Sequence, residues 1–162
     1  MAEPKMSPGA DRLELRIPPL ALVLIFAAVM WLVSTCAPSL AIAISWRPAL
    51  VAALVGAGAA FAVAGVVSFR KAKTTVDPTR PEATSRMVVS GVYRVSRNPM
   101  YVGFLLVLAG WAVFLGHGLA FLLLPLFVAY LNRFQIRPEE RALAARFGSE
   151  YASYAQSVRR WL

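Results

Sequence analysis

Residues 49–69 read ALVAALVGAGAAFAVAGVVSF, a run without a single charged side chain. Arg47 precedes the run, and Arg70 and Lys71 follow it directly. A helix that crosses the hydrocarbon core of a bilayer needs about 20 predominantly apolar residues. The run therefore predicts a membrane-spanning helix. Its glycines and many alanines predict close packing against a neighbouring helix, because small side chains let helix backbones approach in lipid.

Three more apolar runs lie outside this one. Residues 17–36 form the first, and residues 101–115 and 119–131 form a pair separated by Gly116-His117-Gly118, which predicts a tight turn. We therefore predict an all-α polytopic membrane protein with about four transmembrane helices. The expected spans are residues 17–36, 49–69, 99–115 and 119–134 of a membrane domain 17–134, with a flexible tail at 1–16, a polar loop at 70–98 and a helical C-terminal segment at 135–162.

The composition supports a membrane protein and excludes several other classes. Hydrophobic residues make up 59% of the 162 residues and charged residues only 15%, whereas soluble domains average about 45–50% and about 25%. The net charge of +9 comes from basic residues that flank the apolar runs, so anionic lipid head groups fit as partners better than nucleic acid. Cys36 is the one cysteine, so neither an internal disulfide nor a zinc site is expected, and we predict no bound metal.

The distribution of Lys and Arg predicts the orientation. The tail up to Arg16 holds three of them, the connection 70–98 holds seven and the segment from Asn132 holds six, whereas the other two connections hold one and none. Cytoplasmic loops carry the excess of positive charge. We therefore expect both termini and the middle loop on the cytoplasmic side of an integral membrane protein, at the inner membrane if the source is a bacterium.

One polar segment leads into the third apolar run. It reads Arg97-Asn98-Pro99-Met100-Tyr101-Val102-Gly103. Proline suits the first turn of a helix, and asparagine suits the N-cap before it. One interpretation is therefore a capped helix start at Asn98 with Arg94 and Arg97 on lipid phosphates. The alternative is a binding site for a small molecule.

A second polar segment follows the fourth apolar run, from Arg133 to Glu140. Pro138 predicts a helix start, and Glu139 and Glu140 in the first turn suit the helix dipole. That interpretation needs no ligand. However, two neighbouring carboxylates at a membrane boundary also suit a cationic ligand, and Arg133 would share a face with Glu140, seven residues on, if the helix is continuous.

Together these segments resemble the integral membrane methyltransferases, a superfamily that includes isoprenylcysteine carboxyl methyltransferase and the phospholipid N-methyltransferases. The resemblance covers roughly residues 50–162 and depends on the order and spacing of two motifs around an apolar hairpin. The first motif is Gly91-x-Tyr93-x-x-x-Arg97-Asn98-Pro99-x-Tyr101-x-Gly103. The second is Glu139-Glu140-x-x-Leu143 followed by Phe147-Gly148-x-x-Tyr151-x-x-Tyr154. The isoprenylcysteine branch usually has histidine where Asn98 stands, so the Asn-Pro-Met-Tyr sequence looks more like the phospholipid branch.

The resemblance implies S-adenosylmethionine as the methyl donor, with S-adenosylhomocysteine as product. It places the cofactor at the cytoplasmic face, between the loop 70–98, the last two spans and the segment 135–162. The cofactor-binding residues that it implies are Tyr93, Arg97, Asn98, Pro99, Tyr101, Gly103, Glu139 and Glu140. The methyl acceptor would be a lipid or a lipidated group, such as an isoprenylcysteine or a phospholipid amine, that enters from the bilayer.

Simple chemistry agrees with those roles. A carboxylate pair can hold the ammonium group of the cofactor, and either Arg97 or backbone N–H groups at a helix start can hold its carboxylate. We expect two catalytic residues, Arg133 and Glu140. Arg133 would orient an anionic acceptor, and a glutamate or water would take the proton that an amine acceptor loses. Two other classes remain open, a nicotinamide-dependent membrane reductase of the sterol reductase type and a non-enzymatic transporter or scaffold. Mid-span ionisable residues, which ion-coupled transporters often show, are missing from the sequence. The acceptor and the oligomeric state are left open.

Overall fold

The computed structural model describes residues 14–37, 40–43, 45–72 and 87–162. Regular structure in these ranges is helical, apart from one isolated bridge between Ala41 and His117. The helices are α1 (Pro19–Cys36), α2 (Arg47–Lys71), α3 (Pro99–Leu115), α4 (Gly118–Leu131), α5 (Arg137–Phe147) and α6 (Ser149–Ser157). A 3-10 turn at Gly91–Arg94 precedes α3, and a π turn at Asn132–Ile136 joins α4 to α5. The predicted all-α fold is confirmed.

Several of the helices are apolar and long enough to cross a membrane. In the described part, α1, α2 and the continuous helix Gly118–Phe147 have the length and composition needed to cross a bilayer. The fourth apolar helix, α3, is shorter at 17 residues. The charged residues of Gly118–Phe147 all lie after Leu131, so its apolar, membrane-spanning part is α4, and α5 extends beyond it. The count of four spans stays a prediction. Most of the loop 70–98, from residue 73 to 86, and the tail up to residue 13 lie outside the described residues.

Prolines begin several of these helices. Pro19 and Pro99 occupy the first position of α1 and α3, and Pro48 and Pro138 the second position of α2 and α5. At α1, α2 and α3, proline is tolerated because the first N–H groups of a helix have no partner within it. The predicted helix starts at Pro99 and at Pro138 are therefore found, although Pro138 begins its helix without a break from α4.

The core lies between α1, α3 and α4. Met30, Leu108 and Phe127 are completely buried there. The rings of Phe26 and Phe127 meet edge to face with centroids 5.2 Å apart, and the Trp111 indole N–H donates to the Ala27 carbonyl at 3.0 Å. These contacts fix α1 against the α3–α4 hairpin.

Helix α2 packs along α3 through glycines. An added Cβ at Gly103 would lie 2.6 Å from the Gly58 carbonyl oxygen, and one at Gly58 would lie 2.6 Å from the Gly103 carbonyl oxygen. Further along, an added Cβ at Gly65 would lie 2.6 Å from Met100. The close packing predicted for α2 is therefore present. Gly56 is not part of it, since an added Cβ there would meet nothing within 4 Å.

The predicted turn between α3 and α4 is closed by the connection from α1 to α2. Gly116 has a left-handed backbone with φ of 60°, which glycine adopts without strain. The Ile42 N–H donates to the Gly116 carbonyl at 2.8 Å, and the Gly118 N–H donates to the Leu40 carbonyl at 2.9 Å. These bonds join the α1–α2 connection to the α3–α4 turn at one end of the helix bundle.

Candidate functional site

The candidate site forms where the apolar helices give way to the polar C-terminal helices. The 3-10 turn carries Tyr93, the start of α3 carries Tyr101, and the first turn of α5 carries Glu139. The Tyr101 hydroxyl donates a short hydrogen bond to Glu139 Oε1. Residues from both predicted motifs, 38 positions apart, are thus brought into direct contact.

Glu139 sits in a poorly solvated environment. Burial raises the pKa of its carboxyl group from 4.5 to about 8, with a further rise from neighbouring Glu140 and an opposing effect of the Tyr101 hydrogen bond. Tyr93 and Tyr151 lie close enough to feel its charge: burial raises both of their pKa values, that of Tyr151 to about 12, and Glu139 contributes to each rise. Glu139 therefore lies among tyrosine side chains as an acid that is largely protonated at neutral pH.

Glu140 has a different environment, between two arginines. Its Oε1 accepts from Arg97 Nη2 at 2.9 Å and from Arg160 Nε at 3.0 Å, and its Oε2 accepts from Arg160 Nη2 at 2.6 Å. Hydrogen bonding to Glu140 raises the pKa of Arg160. Both oxygens of Glu140 are thus engaged by guanidinium groups. The two glutamates, which are neighbours in the sequence, therefore have different hydrogen-bond partners.

Arg97 also links the two motifs. Besides Glu140, its guanidinium group binds the Ala155 carbonyl at 2.7 Å, and its side chain is only 14% exposed. Its Nε is buried and has no hydrogen-bond partner within the described part of the chain. A buried donor without a partner costs free energy, so this atom marks a position that an acceptor atom of a ligand would stabilise.

The segment 158–162 runs across the start of α3 and holds it. The Arg97 N–H donates to the Arg159 carbonyl at 2.9 Å, and the Asn98 side-chain amide donates to the Arg160 carbonyl at 2.9 Å. The Trp161 indole N–H donates to Asn132 Oδ1 at 3.1 Å. Asn98 occupies the N-cap position of α3 but makes no side-chain cap. The predicted capping role is therefore wrong, because the amide donates to a carbonyl 62 residues away instead.

Two of the predicted cofactor-binding residues have packing roles. Gly103 faces α2, where its lack of a side chain permits the contact with Gly58 and Ala62. Pro99 is fully buried at the first position of α3. The third, Tyr93, is held by two contacts. Its backbone carbonyl accepts from the Tyr154 hydroxyl at 2.7 Å, and its ring meets that of Phe69 edge to face with centroids 5.4 Å apart. Contact of any of these residues with a cofactor stays a prediction.

Arg133 belongs to a second cluster, separate from Glu140. Its Nη1 donates to Glu14 Oε1 at 3.1 Å, and Arg141 Nη2 donates to Glu14 Oε2 at 2.5 Å. The expected shared face of Arg133 and Glu140 assumed a regular α-helix. The π turn inserts an extra residue between them, which rotates the two positions relative to each other by about 100°.

Pro138 explains the π turn. Proline lacks the N–H that would bond the carbonyl four residues earlier, and its ring clashes with that carbonyl in a regular helix. The carbonyl concerned, that of Phe134, accepts instead from the Leu15 N–H at 3.0 Å. Gln135, fully buried in the turn, donates to the Ile17 carbonyl at 2.6 Å. The last residues of the expected flexible tail 1–16 are thus bound to the π turn.

Sequence reasoning missed Arg160 and Glu14. Arg160 binds Glu140, 20 positions away, and Glu14 binds Arg133 and Arg141, 119 and 127 positions away, so no local pattern reports them. Tyr151 belongs to the second motif of the resemblance, and its spacing from Glu140 was the signal that could have predicted its place at the site. Among the described residues, no group of three or more His, Cys, Asp or Glu side chains is placed to hold a metal ion.

Apolar helices with a cluster of tyrosine, glutamate and arginine side chains at one end define a helical membrane protein with a candidate site at its boundary. Residues 46–150 match the phospholipid methyltransferase family model. The chain belongs to the phospholipid methyltransferase family and is an integral membrane protein.

The similar proteins agree with this family. The chain is 30% identical to protein-S-isoprenylcysteine O-methyltransferase B of Arabidopsis thaliana, over 57% of this chain and 47% of that protein. It is 34% identical to a probable protein-S-isoprenylcysteine O-methyltransferase of Oryza sativa subsp. indica, over 57% of this chain and 49% of that protein. It spans about half the length of these plant relatives. Over 63 residues it is 48% identical to an uncharacterized protein of Haemophilus influenzae, covering 39% of this chain and all of that protein. No solved structure gave a significant match.

Proposed function

We propose that this protein transfers a methyl group from S-adenosylmethionine to a lipid or lipidated acceptor at the cytoplasmic face of the membrane. One observation carries the proposal: the buried carboxyl of Glu139, bonded by Tyr101 and lying among tyrosines, stands where the apolar helices end. Family membership favours this function over the reductase and transporter alternatives. The cytoplasmic side is proposed from the excess of Lys and Arg in the tail, the loop 70–98 and the C-terminal segment.

The side chains present fit S-adenosylmethionine, which supplies a methyl group on a positively charged sulfur when bound. Glu139 suits its ammonium group, because a cation beside a protonated carboxyl lowers the pKa and favours the carboxylate. The faces of Tyr93 and Tyr151 suit a sulfonium, since aromatic rings attract cations. The buried Arg97 Nε, which has no partner in the described chain, suits the cofactor carboxylate.

The protein's own contribution is positioning and exclusion of water. Methyl transfer is a displacement that depends on alignment of the reacting atoms, and a buried site supplies alignment and keeps water away. Glu140 acts here as a positioning residue, because both of its oxygens are engaged by Arg97 and Arg160.

The direct test is binding of S-adenosylmethionine to protein purified in detergent and in lipid nanodiscs. We expect micromolar binding that Glu139→Gln weakens by at least about tenfold, the size of one lost charge-assisted contact. Glu150→Gln is the matched control, because Glu150 is an exposed glutamate on α6 and the same change there leaves binding unaltered.

A second readout reports the protonation of Glu139. At about pH 7, binding to the wild-type protein releases close to one proton, because a group with a pKa of about 8 is about 90% protonated before the cation arrives. The Glu139→Gln variant releases none from this position. Calorimetry in buffers of different ionisation enthalpy measures that proton. No binding in either detergent or nanodiscs refutes the proposed cofactor.

A further inference from the structure

Glu14 occupies a site built from two arginines. Arg133 and Arg141 each donate to a different oxygen of its carboxylate, at 3.1 and 2.5 Å, and the Glu14 side chain is only 14% exposed. Two guanidinium groups against one carboxylate leave an excess of one positive charge. A carboxylate gripped at both oxygens presents the same geometry to arginine as two oxygens of a phosphate group.

The chain around Glu14 is bound in an unfavourable conformation. Leu15 has φ of 57°, in the left-handed region that side-chain-bearing residues rarely adopt. Such strain persists only where surrounding contacts impose it. Here those contacts are the two arginines on Glu14 and the hydrogen bond from the Leu15 N–H to the Phe134 carbonyl. Loss of the Glu14 contacts would therefore let Leu15 relax and release the segment.

The position of the cluster indicates which anion could replace Glu14. Arg133 is the second residue after Leu131, where the apolar part of the helix ends, and lipid phosphates lie at that depth. Arg137, one turn after Arg133, is exposed and adds positive charge to the same region. Anionic lipids concentrate at the cytoplasmic surface and attract basic clusters next to membrane helices.

We propose that Arg133 and Arg141 bind the phosphate of an anionic phospholipid, and that Glu14 occupies the same two guanidinium groups as an internal competitor. Arrival of the lipid displaces Glu14 and frees the segment that precedes α1. The proposal does not depend on methyl transfer, because the carboxylate that both arginines bind is that of Glu14 and not that of Glu139 or Glu140.

The first experiment measures the affinity of detergent-purified protein for a fluorescent short-chain phosphatidylglycerol. Glu14→Gln removes the competing charge and tightens binding by about tenfold, whereas Glu150→Gln, with the same charge change at an exposed site, does not. Arg133→Gln and Arg141→Gln each weaken binding more than Arg159→Gln, which removes an exposed arginine elsewhere. Equal affinities of Glu14→Gln and Glu150→Gln, or of all three arginine variants, overturn the proposal.

The second experiment separates the lipid from free phosphate and observes the release itself. Inorganic phosphate at concentrations comparable to the lipid does not displace it; if it does, the site belongs to a soluble phosphate and the lipid assignment is overturned. In nanodiscs, the Leu15 amide exchanges its hydrogen faster with phosphatidylglycerol than with phosphatidylcholine alone, while the Gly118 amide, bonded to Leu40, is unchanged. Equal exchange at Leu15 overturns the competition.

Discussion

Replacement of Glu139 by glutamine should mainly change how the free energy of unfolding depends on pH. The folded-state pKa of Glu139, about 8, lies above the ordinary value of 4.5, so the folded protein binds a proton more tightly than the unfolded chain does. The stability that this proton contributes is complete below about pH 4.5 and is lost as the pH rises through about 8. Glutamine stays neutral and still accepts the Tyr101 hydrogen bond, so the variant does not lose this stability as the pH rises.

The size of the effect follows from the shift. One pH unit within this window is worth about 1.4 kcal/mol, so the wild-type protein loses about 2 kcal/mol relative to Glu139→Gln between about pH 6 and about pH 7.5. For a chain of this length the loss lowers Tm by about 4–8 °C.

Thermal unfolding in detergent, followed by tryptophan fluorescence across that pH range, measures the difference between wild type and variant. Glu150→Gln serves as the control, and its profile should run parallel to that of the wild type. A difference between wild type and Glu139→Gln that stays constant with pH would refute the assignment of a raised pKa to Glu139.

Two further predictions concern the packing of α2 on α3 and the ion cluster around Glu140. Gly103→Ala should lower the free energy of unfolding by about 2 kcal/mol or more, because the new methyl group meets the α2 backbone. Gly56→Ala should be neutral or stabilise by up to about 1 kcal/mol. Denaturant unfolding measures both variants, and equal effects would contradict the packing described. Arg160→Gln should destabilise by about 1.5–3 kcal/mol by removing two charge-assisted bonds to Glu140, whereas Arg159→Gln, which removes an exposed side chain, should stay within about 0.5 kcal/mol.

Features set by local composition were predictable from the sequence. The apolar runs predicted four helices at close to their observed positions, and Gly116-His117-Gly118 predicted the turn between α3 and α4. The contact between the two motifs was implied only by the resemblance, and the bond between Tyr101 and Glu139 agrees with it. These features depend on residues close in sequence or on spacing shared by a family.

Features that depend on distant partners were not predictable. Asn98 has the residue type of a helix cap, but a carbonyl of the C-terminal segment competes successfully for its side chain. The face shared by Arg133 and Glu140 was inferred from helical periodicity, and Pro138 breaks that periodicity by imposing a π turn. The two predicted catalytic residues therefore lie in different ion clusters, a result that no single segment of sequence contains.

The glycine contact between α2 and α3 also restricts how a membrane-dissolved molecule can reach Tyr101. At Gly58 and Gly103 the two backbones are already too close to admit one added carbon, and Gly110 against Val55 continues this seal along the pair. A hydrocarbon chain is wider than that gap, so this side of α3 is closed as a portal. The proposed lipid acceptor would have to approach across another face of α3, with its tail left in the bilayer. The close contact between α2 and α3 would limit the number of directions from which its reacting end can arrive.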